Sequence, residues 1–533
     1  MPMALGVAGA ADAVMGAQAV VCAAKQLGLD VCFANPGTTE LPIVSALDNE
    51  AAIRPVLALA EGVAMGMADG YGRIAGKPAL TLTHLGPCFA SGLSSLHNAR
   101  RAGTPVINLI GQFSAQHLAR DPPLATDITR LAETASSWTK QSVAPDQLAT
   151  DLQEAYEAAM GWPRGIATLI LPEECQYADA PVPQLLPRVA SRPRSQSSHA
   201  LAQVAAVASD ARHQLGLLLG GSATGESCLR LAQEIQIATG CRLFLEPFPA
   251  RLEYGNGLPV VERLPYTSAA TAALFRDVRH LILFGTERPV ALFPRAGERS
   301  DLVPETITVT RGAGRDEDVE GALQELLDRV RGAGRSPLVT ARRPRVRPPN
   351  GALTRDRIAA AIAWTLPPDA ILVDDGGSAA GTVLQYSSSC PRHTYIMSST
   401  GGVLGSALPV ASGAAMAAAH RPVIAIQGDG GAMYTCQALW TQARERLDVT
   451  NLILSNQSYA LLNAELASRE LACTGAARRL TSLADPPIDW VALATSLGVP
   501  ATRVSDTAGL LEALGRHSPG SGPRLIDVRL SGP

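Results

Sequence analysis

Short apolar runs recur along the chain, and each is closed by a cluster of Gly, Asn, Asp or Pro. Residues 31–34, 55–59, 79–83, 106–110 and 167–171 are such runs in the first part of the chain. Residues 215–219, 242–245 and 280–284 follow in the middle, and 371–373, 423–426, 451–454 and 525–528 in the last part. They are rich in Val, Ile and Leu, which predicts strands buried on both faces. Between them, 17–27, 41–47, 91–101, 228–239, 432–446 and 489–497 carry apolar residues at helical spacing among good helix formers. Strands alternating with helices predict doubly wound parallel sheets.

Two stretches interrupt that rhythm. Residues 180–199 are rich in Pro, Arg and Ser, and 336–352 are basic and Pro-rich; both read as linkers. The expected organisation is a loose extension at 1–14, a first α/β domain at 15–179, a central one at 200–335 and a third at 353–533. The fold class is therefore α/β, with three doubly wound parallel-sheet domains. The first and third segments are alike in length and rhythm, which suggests an ancient duplication.

Composition narrows the function. The chain has 533 residues, 47% hydrophobic and 17% charged, with a net charge of −3. A near-neutral balance argues against a nucleic-acid partner. Nine cysteines lie scattered with no CxxC pair, as in a reduced, cytoplasmic protein. No apolar run reaches membrane-spanning length, so no membrane is expected as a partner.

The chemistry gathers after the ends of strands. Residues 422–459 read as strand, Gly-rich turn, helix, strand and loop. The turn is Gly428-Asp429-Gly430-Gly431, and Asn456 follows the next strand. A Gly-rich turn opening a helix lets backbone N–H groups approach a phosphate, and the helix N-terminus favours negative charge. Parallel neighbouring strands would return Asn456 to the edge that carries Asp429. A carboxylate oxygen, an amide oxygen and a backbone carbonyl are hard ligands suited to Mg²⁺ held together with a diphosphate. Glu61 stands at a strand end before a Gly- and Ala-rich helix, where a carboxyl could hydrogen-bond a cofactor ring nitrogen; on position alone it could also be a first-turn Glu favoured by the helix dipole. His84 follows the strand at 79–83, in the crevice where such sheets bind ligands.

The GDG turn followed by Ser455-Asn456, together with EGVAMGMADGYGRIAGKPA from Glu61, resembles thiamine diphosphate (ThDP) enzymes of the acetolactate synthase and benzoylformate decarboxylase group. NPGTTELP and HLGPCFASGLSSLHNARRAGTPVINLIGQ are similar to that group as well, and the likeness runs from about residue 15 to the C-terminus. It implies a pyrimidine-binding first domain, a central domain, and a diphosphate- and Mg²⁺-binding third domain. Glu61 would contact the pyrimidine N1′. Asp429, Asn456 and the Ser458 carbonyl would hold Mg²⁺, with Gly428, Gly430, Gly431 and Ser378 around the diphosphate. Leu404 would prop the cofactor into its bent shape. His84, Thr38 and Gln112 would face the substrate, and His84 suits proton transfer.

Three departures stand out. Ser455 replaces the first Asn of the pair, Cys88 replaces the Gly common in HLGPG, and Gly431 stands where Ser is common. A second active-site histidine found in the decarboxylase has no counterpart in 252–264 or 288–298. The expected activity is an acetolactate-synthase-like carboligase acting on a 2-oxo acid. A non-carboligating decarboxylase is the alternative, and a non-catalytic cofactor-binding protein a further one. FAD stays open: the central segment has no GxGxxG, and Gly220-Gly221-Ser222 is a weak hint that reads more readily as an ordinary turn. The resemblance also implies a homodimer or homotetramer.

Overall fold

The computed structural model describes residues 13–186, 191–211, 214–331, 343–377, 382–516 and 520–530. It divides into two compact units, Met1–Arg100 with Thr104–Ser191, and Arg192–Pro533 with Arg101–Gly103.

In the first unit, six parallel strands lie in the order Arg54–Leu57, Val31–Asn35, Ala79–His84, Val106–Gln112, Ile166–Pro172, Trp138–Gln141. Val106–Gln112 and Ile166–Pro172 are buried at every position, which explains their unbroken apolar character. Helix Gly16–Gln26 packs Ala17, Val20 and Val21 into a core shared with Leu148, Leu152 and Ala155 of helix Leu148–Met160. Helix Glu61–Ala75 is buried from Val63 to Arg73. Its glycines permit close packing: a Cβ on Gly72 would come within 2.8 Å of the Pro105 carbonyl. Ala13–Met15 pairs antiparallel with Asp179–Pro181, so the described end of the expected loose extension is tied down.

The second unit holds two sheets. One has five parallel strands in the order Glu262–Arg263, Arg242–Leu245, Leu215–Leu219, His280–Phe284, Thr308–Ala313. The other has seven, in the order Leu252–Tyr254, His393–Met397, Ile371–Asp375, Val423–Gly428, Val449–Ser455, Arg524–Arg529, Ala501–Val504. Only Leu252–Tyr254 runs antiparallel there. This short strand comes from the middle of the chain and edges the third sheet, which sequence periodicity did not predict.

Two helices differ from expectation. The helix over 91–101 begins earlier, at Leu85, because Pro87 in its first turn needs no N–H partner. The helix over 432–446 is split into Asp429–Ala432 and Ala438–Glu445. At the break the Thr435 hydroxyl donates to the Gly405 carbonyl, and Met433 and Tyr434 turn outward, 43% and 57% exposed.

Candidate active site

At the C-terminal edge of the six-stranded sheet, the chain passes from strand Val31–Asn35 through Pro36-Gly37 into a 3₁₀ turn, Thr38–Glu40. Strand Ala79–His84 lies beside it and ends on His84. His84 Nδ1 is 3.0 Å from Glu40 Oε2 and 3.1 Å from Thr39 Oγ1. Glu40 is fully buried, and its carboxylate also accepts from Gly37 N–H at 2.8 Å and Thr39 O–H at 2.6 Å. Two glycines make room for this group. A Cβ on Gly37 would lie 2.2 Å from the His84 ring, and one on Gly111 would lie 1.9 Å from Glu40 Oε1. Just after His84, Leu85 has φ 46°, a left-handed conformation that a bulky residue adopts only under constraint.

Glu61 opens helix Glu61–Ala75 at the same edge, half-buried, and accepts from Asn35 Nδ2 at 3.0 Å. The Cys88 thiol is within hydrogen-bonding reach of Glu61; burial first, and then the Glu61 and Glu40 carboxylates, push its pKa up. Thr38 is exposed and Thr39 is the residue that meets His84, one position on from the residue the sequence put forward. Gln112 is buried with its side-chain oxygen turned back onto Phe113 N–H at 3.0 Å.

The seven-stranded sheet presents the other group. Strand Val423–Gly428 ends at the turn, and Asp429 starts the short helix, 4% exposed. Its Oδ1 accepts from Gly430 N–H at 2.9 Å and Oδ2 from Gln457 N–H at 2.7 Å. Burial raises its pKa against the pull of these amides, and among the described residues no cationic side chain pairs with it. A buried carboxylate held only by neutral donors fits a bound cation. Asn456 follows strand Val449–Ser455, and its Oδ1 accepts from Ser458 N–H at 3.0 Å. Asp429 and Asn456 thus meet at one edge through the 456–458 loop. Among the described residues no group of three or more His, Cys, Asp or Glu is placed to hold a metal, so a cation here would rest on mixed carboxylate, amide and carbonyl oxygens.

The glycines of the turn form a cradle. Gly428 has open space where a Cβ would stand, whereas a Cβ on Gly430 would strike the Tyr459 ring at 2.5 Å and one on Gly431 the Gln427 amide at 2.8 Å. Ser455, which stands in place of the first Asn, donates its hydroxyl to buried Asp527 at 2.5 Å. Leu404 is 42% exposed, in the loop before helix Ala407–Ala417. Ser378 lies outside the described residues.

Periodicity did not bring out Glu40, Thr39, Asp375 or Gln427. Glu40 stood in NPGTTELP, a turn cluster just past a strand end, and that place was the signal available.

The five-stranded sheet has the strand order of a nucleotide-binding fold, with Gly220-Gly221 after its central strand and Glu246 after the next. Yet Glu246 Oε1 accepts from Gly221 N–H at 3.0 Å, and Thr286 and Arg315 hold its Oε2. A Cβ on Gly285 would lie 2.3 Å from the Gly220 carbonyl, so the two loops touch backbone to backbone.

The chain belongs to the thiamine pyrophosphate enzyme family. The family's N-terminal TPP binding domain matches residues 14–132, and its C-terminal TPP binding domain matches 375–528. Within it, the chain is 40% identical to a Mycobacterium tuberculosis protein named as an acetolactate synthase large subunit, IlvX, over 96% of this chain and 98% of that one. It is 27% identical to benzoylformate decarboxylase of Pseudomonas aeruginosa, over 95% of this chain and 96% of that one. Its fold is similar to that of the ThDP-dependent 4-hydroxybenzoylformate decarboxylase of Rhodococcus jostii RHA1, with a TM-score of 0.85 at 22% identity, covering 98% of this chain and all of the other. Among the described residues no helix is long and apolar enough to cross a membrane.

Proposed function

We propose that the protein is a ThDP- and Mg²⁺-dependent enzyme of 2-oxo acids that acts as an acetolactate-synthase-like carboligase. The observation that carries this reading is Asp429, a buried carboxylate without a cationic partner among the described residues, set at the mouth of a glycine cradle beside Asn456. Asp429, Asn456 and the Ser458 carbonyl would hold Mg²⁺, and Gly428, Gly430 and Gly431 would receive the diphosphate. When bound, ThDP supplies the electron sink that lets a 2-oxo acid lose CO₂.

The chain's own residues do the rest. Glu61 would hydrogen-bond the cofactor's pyrimidine N1′ and pass a proton to it, with Asn35 fixing the direction of the carboxyl. Leu404 would support the bound cofactor. His84 moves protons at the substrate end, and Glu40 and Thr39 set its tautomer and direction. Thr38, exposed on the same turn, and Gln112 stand nearest the substrate in this reading. The likeness to the acetolactate synthase large subunit favours transfer to a second carbonyl over simple protonation. The His84–Glu40–Thr39 group favours the second reading, a benzoylformate-decarboxylase-like enzyme that protonates and releases an aldehyde.

The central sheet offers FAD no evident seat. The Gly221 amide that would meet a pyrophosphate is taken by Glu246, whose charge would oppose it. Assembly as a homodimer or homotetramer completes the proposal, since exposed Leu404, Met433, Tyr434 and Leu462 leave apolar surface for a second copy to cover. The test is CO₂ release from a panel of 2-oxo acids with ThDP and Mg²⁺, with products identified by mass. A 2-hydroxy ketone or 2-hydroxy-2-methyl-3-oxo acid supports carboligation, an aldehyde supports the second reading, and no CO₂ from any acid contradicts both.

A further inference from the structure

Asp375 is the last residue of strand Ile371–Asp375, 5% exposed and, among the described residues, without a cationic partner. Its Oδ2 accepts three hydrogen bonds: from Gly405 N–H at 2.6 Å, Ser406 N–H at 3.0 Å and Gln427 Nε2 at 3.0 Å. Gln427 is fully buried two residues before Asp429. It accepts from Ala407 N–H at 3.0 Å and donates a second bond to the Asp375 carbonyl at 3.2 Å. Two side chains therefore grip three consecutive amides, those of residues 405–407, immediately after Leu404.

The turn is also tied from the other side, where the Thr435 hydroxyl donates to the Gly405 carbonyl. Gly405 has φ 86° and lies outside helices and strands, with its Cβ position closed off by the Gly431 carbonyl at 2.6 Å. Leu404 itself is 42% exposed within the chain. Burial pushes the Asp375 carboxyl up to about 6, so the fold keeps a charge there at a cost. The Gln427 brace also ties the turn to the strand that delivers Asp429.

We propose that Asp375 is a positioning residue that, braced by Gln427, fixes the height and direction of Leu404 beneath the bound cofactor. This rests on the reading of Leu404 as the prop. Without the carboxylate, two buried amides lose their acceptor, and a prop displaced by about 1 Å forfeits much of its effect.

The experiment has two parts. The first follows hydrogen–deuterium exchange at the Gly405 and Ser406 amides of the cofactor-free protein. Wild type should protect both although they lie in a loop. Asp375→Ala should speed their exchange at least about tenfold, and Asp375→Asn, which keeps an oxygen acceptor, should restore protection. The second is a double-mutant cycle on CO₂ release. Asp375→Ala and Leu404→Ala should each lower kcat with KM for the 2-oxo acid little changed. The double variant should fall within about threefold of Leu404→Ala alone, because one residue acts through the other. Unprotected Gly405 and Ser406 amides in wild type, unchanged exchange in Asp375→Ala, or losses that multiply in the cycle would each overturn the proposal. Should Asp375→Ala not fold, the wild-type exchange and the Asn variant decide it. Full activity in Leu404→Ala would refute the prop reading itself, a failure the exchange data keep separate from Asp375's grip on the turn.

Discussion

The sheet edge that carries Glu61 and the one that carries Asp429 are built alike and differ in how their carboxylates are satisfied. At the first, Glu40 is gripped by an amide, a hydroxyl and an imidazole, and Glu61 by a side-chain amide. Each acid there has a neighbour that can hand on or orient a proton. At the second, Asp429 is held by backbone amides alone, and Asp375 by two amides and Gln427. Amides hold a carboxylate in place but cannot neutralise it, so under the proposed function this edge would hold a cation and a fixed shape, whereas the first would move protons.

The largest expected effect is at the second edge. Asp429→Ala should abolish Mg²⁺-dependent ThDP binding in calorimetry, and unchanged affinity would erase the contrast between the edges. At the first edge, Glu61→Gln keeps size and hydrogen bonding but cannot carry the proton. ThDP should still bind, while exchange of the cofactor's C2 proton in D₂O, followed by NMR, slows by about two to four decades. Wild-type exchange would return Glu61 to a helix-capping role.

A smaller effect comes from pH. Folded Asp375 takes up a proton near pH 6 and unfolded Asp near 3.8, so the folded state binds more protons between those values. Stability from this group is complete below 3.8 and is lost as pH rises through 6, by up to about 3 kcal/mol. Buried His393 runs the other way: burial lowers it from 6.5 to about 4, so it stays neutral in the fold. Its contribution is complete above 6.5 and is lost as pH falls toward 4, again by up to about 3 kcal/mol. The two slopes oppose each other between pH 4 and 6 and separate in variants. In denaturant titrations, Asp375→Asn should gain more over wild type at pH 7 than at pH 4, and His393→Gln should flatten the acid loss. Smallest is Ser455→Ala, which removes the bond to Asp527 and should cost about 1–2 kcal/mol of stability while ThDP affinity holds. A large loss of affinity would place Ser455 in the cofactor site.

What was legible in the sequence was local. The Gly428–Gly431 turn after an apolar run, and Asn456 after the next strand, sit where strand periodicity places them. The contact of Thr39 with His84 is not legible in the sequence, because a 3₁₀ turn rotates successive residues by about 120°, exposing Thr38 and burying Thr39. The helix over 432–446 was broken by a tertiary bond from Thr435 to the Gly405 loop, which no helical propensity reports. The role of Asp375 is not local, because its partners lie 30, 31 and 52 residues away. Strand Leu252–Tyr254 is three residues long and pairs only across a distant edge.

The central claim is that one chain carries two unlike half-sites, proton chemistry at Glu61 and cation chemistry at Asp429, which the assembled enzyme brings to one cofactor. Complementation tests it most directly. Glu61→Gln and Asp429→Ala proteins, each inactive alone, are mixed, dissociated and reassembled with ThDP and Mg²⁺. A mixed dimer sharing its cofactors across the interface has one site with both residues intact, so CO₂ release should return to about a quarter of the wild-type rate per chain, as random pairing predicts. Proven mixed dimers that stay inactive, or a monomer fully active in sedimentation, would contradict it.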